Sequence, residues 1–194
     1  MKKVILLLVV LFSLINVFRI DTKAAVAIPS FITVDEGVKN TKAAEYVAEV
    51  ISTLPEGFLT YFNGSIIITD DISKYDKYSA STTQGLFLDG NVYIKERTDK
   101  DYYHVVSHEL SHNLDYQLGI EKEYNYYMSG RDELWLDLFN NIEYVNQEQG
   151  TYANVNHGEF FAEVFSDYLT NPGYVSSNFP ALYAACDMIT NNYF

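Results

Sequence analysis

Residues 101–119 have the sequence DYYHVVSHELSHNLDYQLG, in which both apolar and histidine side chains recur every four positions. Three apolar side chains at i, i+4 and i+8 have the spacing of one helix face: Val106, Leu110 and Leu114. Gly119 is the residue type that favours the left-handed position just after a helix end. We therefore predict one long helix that begins near Asp101, ends at Gly119 and buries its apolar stripe in the core.

Three histidines define a second face of this predicted helix. His104, His108 and His112 have the same four-residue spacing, offset by two positions from the apolar stripe. Two positions correspond to about 200° around an α-helix. We therefore expect the imidazoles to point away from the core.

Two of these histidines belong to the motif H-E-x-x-H. His108 and His112 lie one turn apart on one face, with about 5–6 Å between their Cβ atoms. At this spacing, two imidazole nitrogens can bind one zinc ion at ~2.0–2.1 Å. Glu109 follows the first histidine and can take a proton from a zinc-activated water. The motif therefore predicts a Zn²⁺ site with Glu109 as general base.

A catalytic zinc site needs a third protein ligand and one open position. Residues 157–167 have the sequence HGEFFAEVFSD, in which Glu159 and Glu163 share one face of a second predicted helix. Two carboxylates on an otherwise apolar helix are costly to bury unless they are paired or bind a cation. One could bind the metal while the other accepts an N–H from a ligand histidine. Spacing alone leaves Glu159, Glu163 and His157 open as the third ligand, and the alternative is that they form only a polar helix face.

The remaining pattern predicts an α+β fold. A helix is expected over residues 41–51 and a β-branched strand over residues 65–69. Gly85–Leu88 and Asn91–Lys95 flank Asp89-Gly90, a strong hairpin signal. After the hairpin the chain has mainly helical patterns, and strands followed by helices are typical of α+β domains.

The N-terminal residues predict a secreted protein. A basic start, an apolar run over residues 4–18 and the small residues Ala25 and Ala27 are typical of a signal peptide spanning residues 1–27. Residues 28–194 would then form a single catalytic domain, released outside the cell with no membrane attachment. Removal of the leader takes away four of 13 basic and one of 26 acidic residues, so the net charge changes from −13 to −16.

Composition excludes several other classes of protein. A net charge of −13 argues against nucleic-acid binding, which needs a cationic surface. This charge is compatible with attraction of basic peptides or simply with solubility. The single cysteine, Cys186, excludes a disulfide scaffold and a cysteine-based zinc finger. Its apolar neighbours predict a buried structural thiol.

Several motifs together resemble those of a known family. His108–Asp115 resembles the pattern H-E-x-x-H-x-x-D, and Glu159–Phe165 is similar to E-F-F-A-E-x-F. Tyr152 lies seven residues before Glu159, and the predicted hairpin precedes the histidine helix, as in that family. The chain thus resembles, from about Asn63 onward, the catalytic domain of anthrax lethal factor and its small secreted relatives, the Pro-Pro endopeptidases.

This resemblance implies a zincin-like metalloendopeptidase that hydrolyses protein or peptide substrates as a monomer. One catalytic Zn²⁺ would be held by three side chains: His108, His112 and Glu159. Glu109 would be the general base, and Tyr152 would donate its hydroxyl to the oxyanion, although packing is the alternative role of this tyrosine. Glu163 would orient a ligand histidine. We expect Asp115 to be structural and His104 to line the cleft or contact a ligand.

Other expectations concern the substrate. The strand Asn91–Lys95 is expected to be the sheet edge along which a peptide lies. Residues 76–84 form a shorter loop than in the Pro-Pro endopeptidases, and the only tryptophan, Trp135, lies beyond the histidine helix, so a proline preference is not implied. The alternatives are a zinc-dependent peptidoglycan hydrolase and a non-catalytic zinc-binding protein, which would hold its metal with four protein ligands.

Overall fold

A computed structural model describes residues 27–80, 82–98, 102–124, 126–141 and 152–194. The four strands of these segments are β1 (Ile32–Val34), β2 (Ile66–Thr69), β3 (Gly85–Leu88) and β4 (Asn91–Lys95). Their α-helices are α1 (Ala43–Ile51), α2 (Tyr103–Glu121), α3 (Glu133–Asn141), α4 (His157–Thr170), α5 (Pro172–Asn178) and α6 (Pro180–Tyr193). A small sheet followed by a helical half confirms the predicted α+β class. Residues 1–26 of the predicted signal peptide lie outside the described residues.

The sheet is mixed, with strand order β1-β2-β4-β3. β1 and β2 are parallel, as are β2 and β4, whereas β3 and β4 are antiparallel. The predicted hairpin is confirmed, and its two turn residues both have positive φ, 50° at Asp89 and 80° at Gly90. Two positive φ values are the requirement of a type I′ turn.

The prediction that Asn91–Lys95 forms the sheet edge is wrong. Its strand, β4, pairs with β2 on one side and β3 on the other, so both of its hydrogen-bonding edges are used. The edge next to the histidine helix is β3. Sequence patterns also missed β1, because three residues are too few to show a period.

Helix α2 packs between the sheet and α4. Its predicted apolar stripe is confirmed, since Val106, Leu110 and Leu114 are at most 1% exposed. The helix continues past Gly119 to Glu121, so the prediction that Gly119 ends it is wrong. A Cβ on Gly119 would collide with the carbonyl oxygen of Tyr126. Close approach of two backbones therefore explains this glycine.

The core continues from α2 into the C-terminal helices. Phe160, Phe161 and Phe165 of α4 are buried, and Trp135 of α3 packs edge-on against the first two rings. Cys186 of α6 is fully buried, as predicted, and burial raises the pKa of its thiol. Within the described segments, no helix has the length and apolar character needed to span a membrane.

Candidate metal centre

Helices α2 and α4 bring three potential metal ligands to one point. His108 Nε2 lies 3.1 Å from His112 Nε2 and 3.2 Å from Glu159 Oε2, and His112 Nε2 lies 3.3 Å from the same oxygen. The three atoms form a nearly equilateral triangle. Donor atoms ~2.0–2.1 Å from a tetrahedral zinc ion lie about 3.3–3.4 Å from one another. Both the spacing and the two-nitrogen, one-oxygen donor set therefore fit zinc.

The first turn of α4 places Glu159. Asn156 caps this helix, because its side-chain oxygen accepts a hydrogen bond from the Glu159 backbone N–H at 3.0 Å. Asparagine is among the preferred residues at this position. The cap sets the start of α4 three residues before Glu159. It therefore also sets the position along α2 at which the Glu159 carboxylate lies. Asn156 was not singled out from the sequence, although its residue type was the available signal.

One turn further along α4, Glu163 lies behind His108 rather than inside the triangle. Its Oε1 is 3.1 Å from His108 Nδ1, although that nitrogen is not aligned for a hydrogen bond, and its Oε2 is 3.5 Å from His104 Nε2. His157, the third candidate ligand, instead packs against Phe139 with ring centroids 4.4 Å apart. Of the three candidates, Glu159 is the one that the structure brings to both His108 and His112.

The ligand cluster has strongly shifted pKa values. Burial opposes the charged form of His108, but the neighbouring Glu159 and Glu163 carboxylates outweigh this effect and raise its pKa to about 10. Burial alone would raise the pKa of Glu159 and of Glu163, but the histidines lower each to about 2. These shifts favour an imidazolium at His108 paired with the Glu159 and Glu163 carboxylates. A metal must displace the imidazole protons before it can bind.

Glu109 lies beside the triangle and is only 7% exposed. Burial is the main cause of its raised pKa, partly offset by the nearby histidines. Gly85, the first residue of edge strand β3, lies directly against this side chain: a Cβ on Gly85 would come within 2.8 Å of Glu109 Cδ. The absence of a side chain at Gly85 therefore makes room for the carboxylate. Sequence reasoning placed Gly85 only in the hairpin.

Tyr152 borders the same site. Its ring centroid is 5.8 Å from that of His108, and the residue is 53% exposed. Partial burial and the surrounding carboxylates raise the pKa of its hydroxyl to about 12. The hydroxyl therefore keeps its proton at neutral pH and is available as a hydrogen-bond donor.

Open space flanks the centre on both sides. A cavity of about 690 Å³ reaches Phe87, Tyr126 and Tyr127, and another of about 700 Å³ reaches Arg97 and His104. Five residues line both cavities: Ala80, Thr83, Gly85, Glu109 and Tyr152. Together the cavities form a cleft that runs past edge strand β3 and across the three candidate ligands.

Asp115 has the structural role expected of it. Its fully buried carboxylate accepts hydrogen bonds from the backbone N–H and the hydroxyl of Ser129. These bonds attach the second half of α2 to the short 3₁₀ helix Met128–Gly130. Burial raises the pKa of Asp115 to about 6 even though both hydrogen bonds favour its charged form.

Comparison with known proteins agrees with this geometry. The model of a family described as glucose-regulated metallo-peptidase M90 matches residues 86–189, more than half of the chain. The chain belongs to this metallopeptidase family. The matched residues include both helices that carry the candidate ligands. Membership implies a bound metal, usually zinc, and a protein or peptide substrate.

The fold also resembles that of a solved endopeptidase. The structure of the Pro-Pro endopeptidase from Paenibacillus alvei superposes with a TM-score of 0.61 at 17% sequence identity, covering 82% of this chain and 97% of that protein. This likeness confirms the predicted zincin-like fold. No curated protein matches the sequence.

Proposed function

We propose that this metallopeptidase is a secreted zinc-dependent endopeptidase whose zinc is held by His108, His112 and Glu159. The observation that carries the proposal is the 3.1–3.3 Å triangle formed by one donor atom of each residue. Two imidazoles and one carboxylate leave the fourth tetrahedral position free, as a catalytic site requires. A purely structural site would need a fourth protein ligand there.

The residues around the triangle have complementary roles in this proposal. When bound, zinc supplies Lewis acidity toward a substrate carbonyl and a lowered pKa for water. Glu109 receives the proton of the attacking water, and its raised pKa brings it closer to the neutral range suited to a general base. The same carboxyl group then returns the proton to the leaving amine.

Tyr152 and Glu163 complete the site. The Tyr152 hydroxyl, protonated at neutral pH, donates a hydrogen bond where negative charge develops on the carbonyl oxygen. Glu163 faces His108 Nδ1 and so keeps the other ring nitrogen directed toward the metal.

The substrate lies extended along β3 in this proposal. Among the described residues, this strand pairs with one neighbour, β4, so its outer edge is available there for main-chain hydrogen bonds with a peptide. Because Gly85 of the same strand touches Glu109, a peptide paired with β3 passes next to the proposed base. The chain is expected to act as a monomer.

The decisive experiment combines metal analysis with cleavage. Purified residues 28–194 should contain one zinc ion per chain and cleave members of a peptide library, with activity lost on chelation and restored by zinc. Glu109→Gln should retain zinc and lose ~10²–10⁴-fold in kcat/KM, the usual contribution of a general base. Glu121→Gln, an exposed site on the same helix, is the matched control.

Two outcomes would refute this mechanism: full activity in Glu109→Gln, or activity that survives complete zinc removal. Purified peptidoglycan should be tested in parallel, because its digestion without peptide-library cleavage would favour a cell-wall hydrolase.

Secretion requires its own test. Expression of the full chain should release a protein whose first residue is Ile28 into the medium. Retention in the cell with residues 1–27 attached would contradict the proposed localisation.

A further inference from the structure

Glu163 lies between two histidines of α2. Its Oε1 faces His108 Nδ1 at 3.1 Å, and its Oε2 faces His104 Nε2 at 3.5 Å. Oε2 is fully buried and has no aligned hydrogen-bond partner within the described segments. Leaving a buried acceptor without a hydrogen-bond donor is unfavourable. His104 is the donor placed to satisfy this oxygen.

The other nitrogen of His104 is also held. Its Nδ1 lies 3.3 Å from the Ser166 hydroxyl, which in turn lies 2.6 Å from the buried Ser107 hydroxyl. Ser166 is three residues after Glu163, so both contacts of the ring come from neighbouring positions of α4. The imidazole is thereby fixed at both nitrogens, although its side chain is 48% exposed to the cleft.

These atoms are also close enough to hold a metal, since ligand atoms of His104, His108 and Glu163 lie within 4.8 Å of one another. A neutral imidazole, however, has only one nitrogen with a free lone pair. His108 would have to withdraw Nε2 from the first triangle in order to offer Nδ1 here. This requirement favours a different role for His104.

We propose that His104 is a positioning residue that fixes the Glu163 carboxylate and, through it, the orientation of the His108 imidazole. A hydrogen bond from His104 to Oε2 would hinder rotation of the Glu163 carboxylate and so keep Oε1 facing His108 Nδ1. His108 then keeps its Nε2 lone pair directed toward His112 and Glu159. The inference rests on the proposed function insofar as it takes His108 to be a zinc ligand.

This role differs from a contribution to fold stability. His104 is half exposed, and an interaction at such a site contributes little to the free energy of unfolding. Its loss should therefore weaken zinc binding and lower the melting temperature of the zinc-free protein by only a few degrees. Residues that orient a metal ligand directly typically contribute 10–100-fold to metal affinity.

The test measures the zinc dissociation constant by chelator competition in His104→Ala, His104→Gln and Glu163→Ala. We expect Glu163→Ala to weaken binding ~10–100-fold and His104→Ala roughly 3–10-fold, as one step further from the metal. The matched variant His104→Gln retains a side-chain N–H donor and should bind zinc within about twofold of the wild type.

Other results would overturn the inference. An unchanged dissociation constant in His104→Ala would do so, as would a loss in His104→Gln equal to that in His104→Ala. Two zinc ions in the wild type and one in His104→Ala would show a second metal site instead. His112→Ala separates the two proposals, because zinc binding that survives this change contradicts the ligand triangle itself, whatever the His104 variants do.

Discussion

Replacing Gly85 by alanine would place a methyl carbon against the Glu109 side chain. The new Cβ would lie 2.6 Å from Glu109 Cγ and 2.8 Å from Cδ, whereas an ordinary contact begins near 3.4 Å. The side chain must therefore move away from β3 by roughly 0.6–0.8 Å or more, the difference between these distances and an ordinary contact. Because the displaced atoms belong to the end of a flexible side chain, the movement falls on the carboxylate rather than on the backbone.

A displacement of this size predicts a large effect on catalysis and a small one on folding. Misplacing a reacting group by about 1 Å can cost ~10²-fold in rate, or about 2.7 kcal/mol in activation free energy. The three candidate ligands are not touched, so the zinc content should stay at one ion per chain. We expect kcat/KM to fall about 100-fold while the melting temperature changes by only a few degrees.

The assay compares peptide cleavage, zinc content and thermal unfolding in Gly85→Ala and in the control Gly173→Ala. Gly173 is exposed, and its added Cβ would meet nothing within 4 Å. The control should therefore match the wild type in cleavage and zinc content, with a melting temperature that is equal or slightly higher because alanine favours the helix. Activity within about threefold of the wild type in Gly85→Ala would refute the argument, because a general base is sensitive to a shift of this size. Loss of zinc would refute it too.

Three further changes have separate expected outcomes. Tyr152→Phe should retain zinc and lower kcat ~10²–10³-fold, the usual contribution of an oxyanion donor, and an unchanged kcat would leave Tyr152 with a packing role. Gly119→Ala should destabilise the protein by about 1–3 kcal/mol in denaturant titrations, because the new Cβ would collide with the Tyr126 carbonyl. An increase in stability, as expected from helix propensity alone, would contradict this prediction. Because the pKa of Asp115 is raised to about 6, its protonated form stabilises the folded state. The free energy of unfolding should therefore be highest below about pH 4 and decrease as the pH rises through 6. Asp115→Asn should therefore reduce the pH-dependent decrease in the free energy of unfolding by up to about 3 kcal/mol. An identical pH profile of stability in the variant and the wild type would contradict this expectation.

Local pattern accounts for the parts of the fold that depend on neighbouring residues. The apolar stripe of α2 and the opposite histidine face follow from a four-residue spacing, and both lie where that spacing placed them. The β3–β4 hairpin follows from Asp89-Gly90, because these residue types tolerate the positive φ that its turn requires. Two histidines one helical turn apart were likewise enough to propose half of a metal site.

Tertiary contacts decided the features that spacing left open or placed wrongly. Gly119 resembles a helix end in the sequence, but its small size accommodates the Tyr126 backbone. This contact cannot be predicted from the spacing of neighbouring residues. Asn91–Lys95 looked like an edge strand until its pairing with β2, a strand more than twenty residues away, was known. The role of Gly85 depends in the same way on a side chain 24 positions further along the chain.

The amino-acid sequence alone determined the zincin-like class, the histidine pair with Glu109 between its members, and three candidates for the third ligand. The family resemblance implied Glu159 as the third ligand, and the tertiary structure brought its carboxylate to that pair while it left Glu163 behind His108 and beside His104. The physical reason is that these contacts join residues about fifty positions apart, across the packing of α2 on α4. Helical spacing places two carboxylates on one face, but the level at which two helices meet decides which of them reaches the metal.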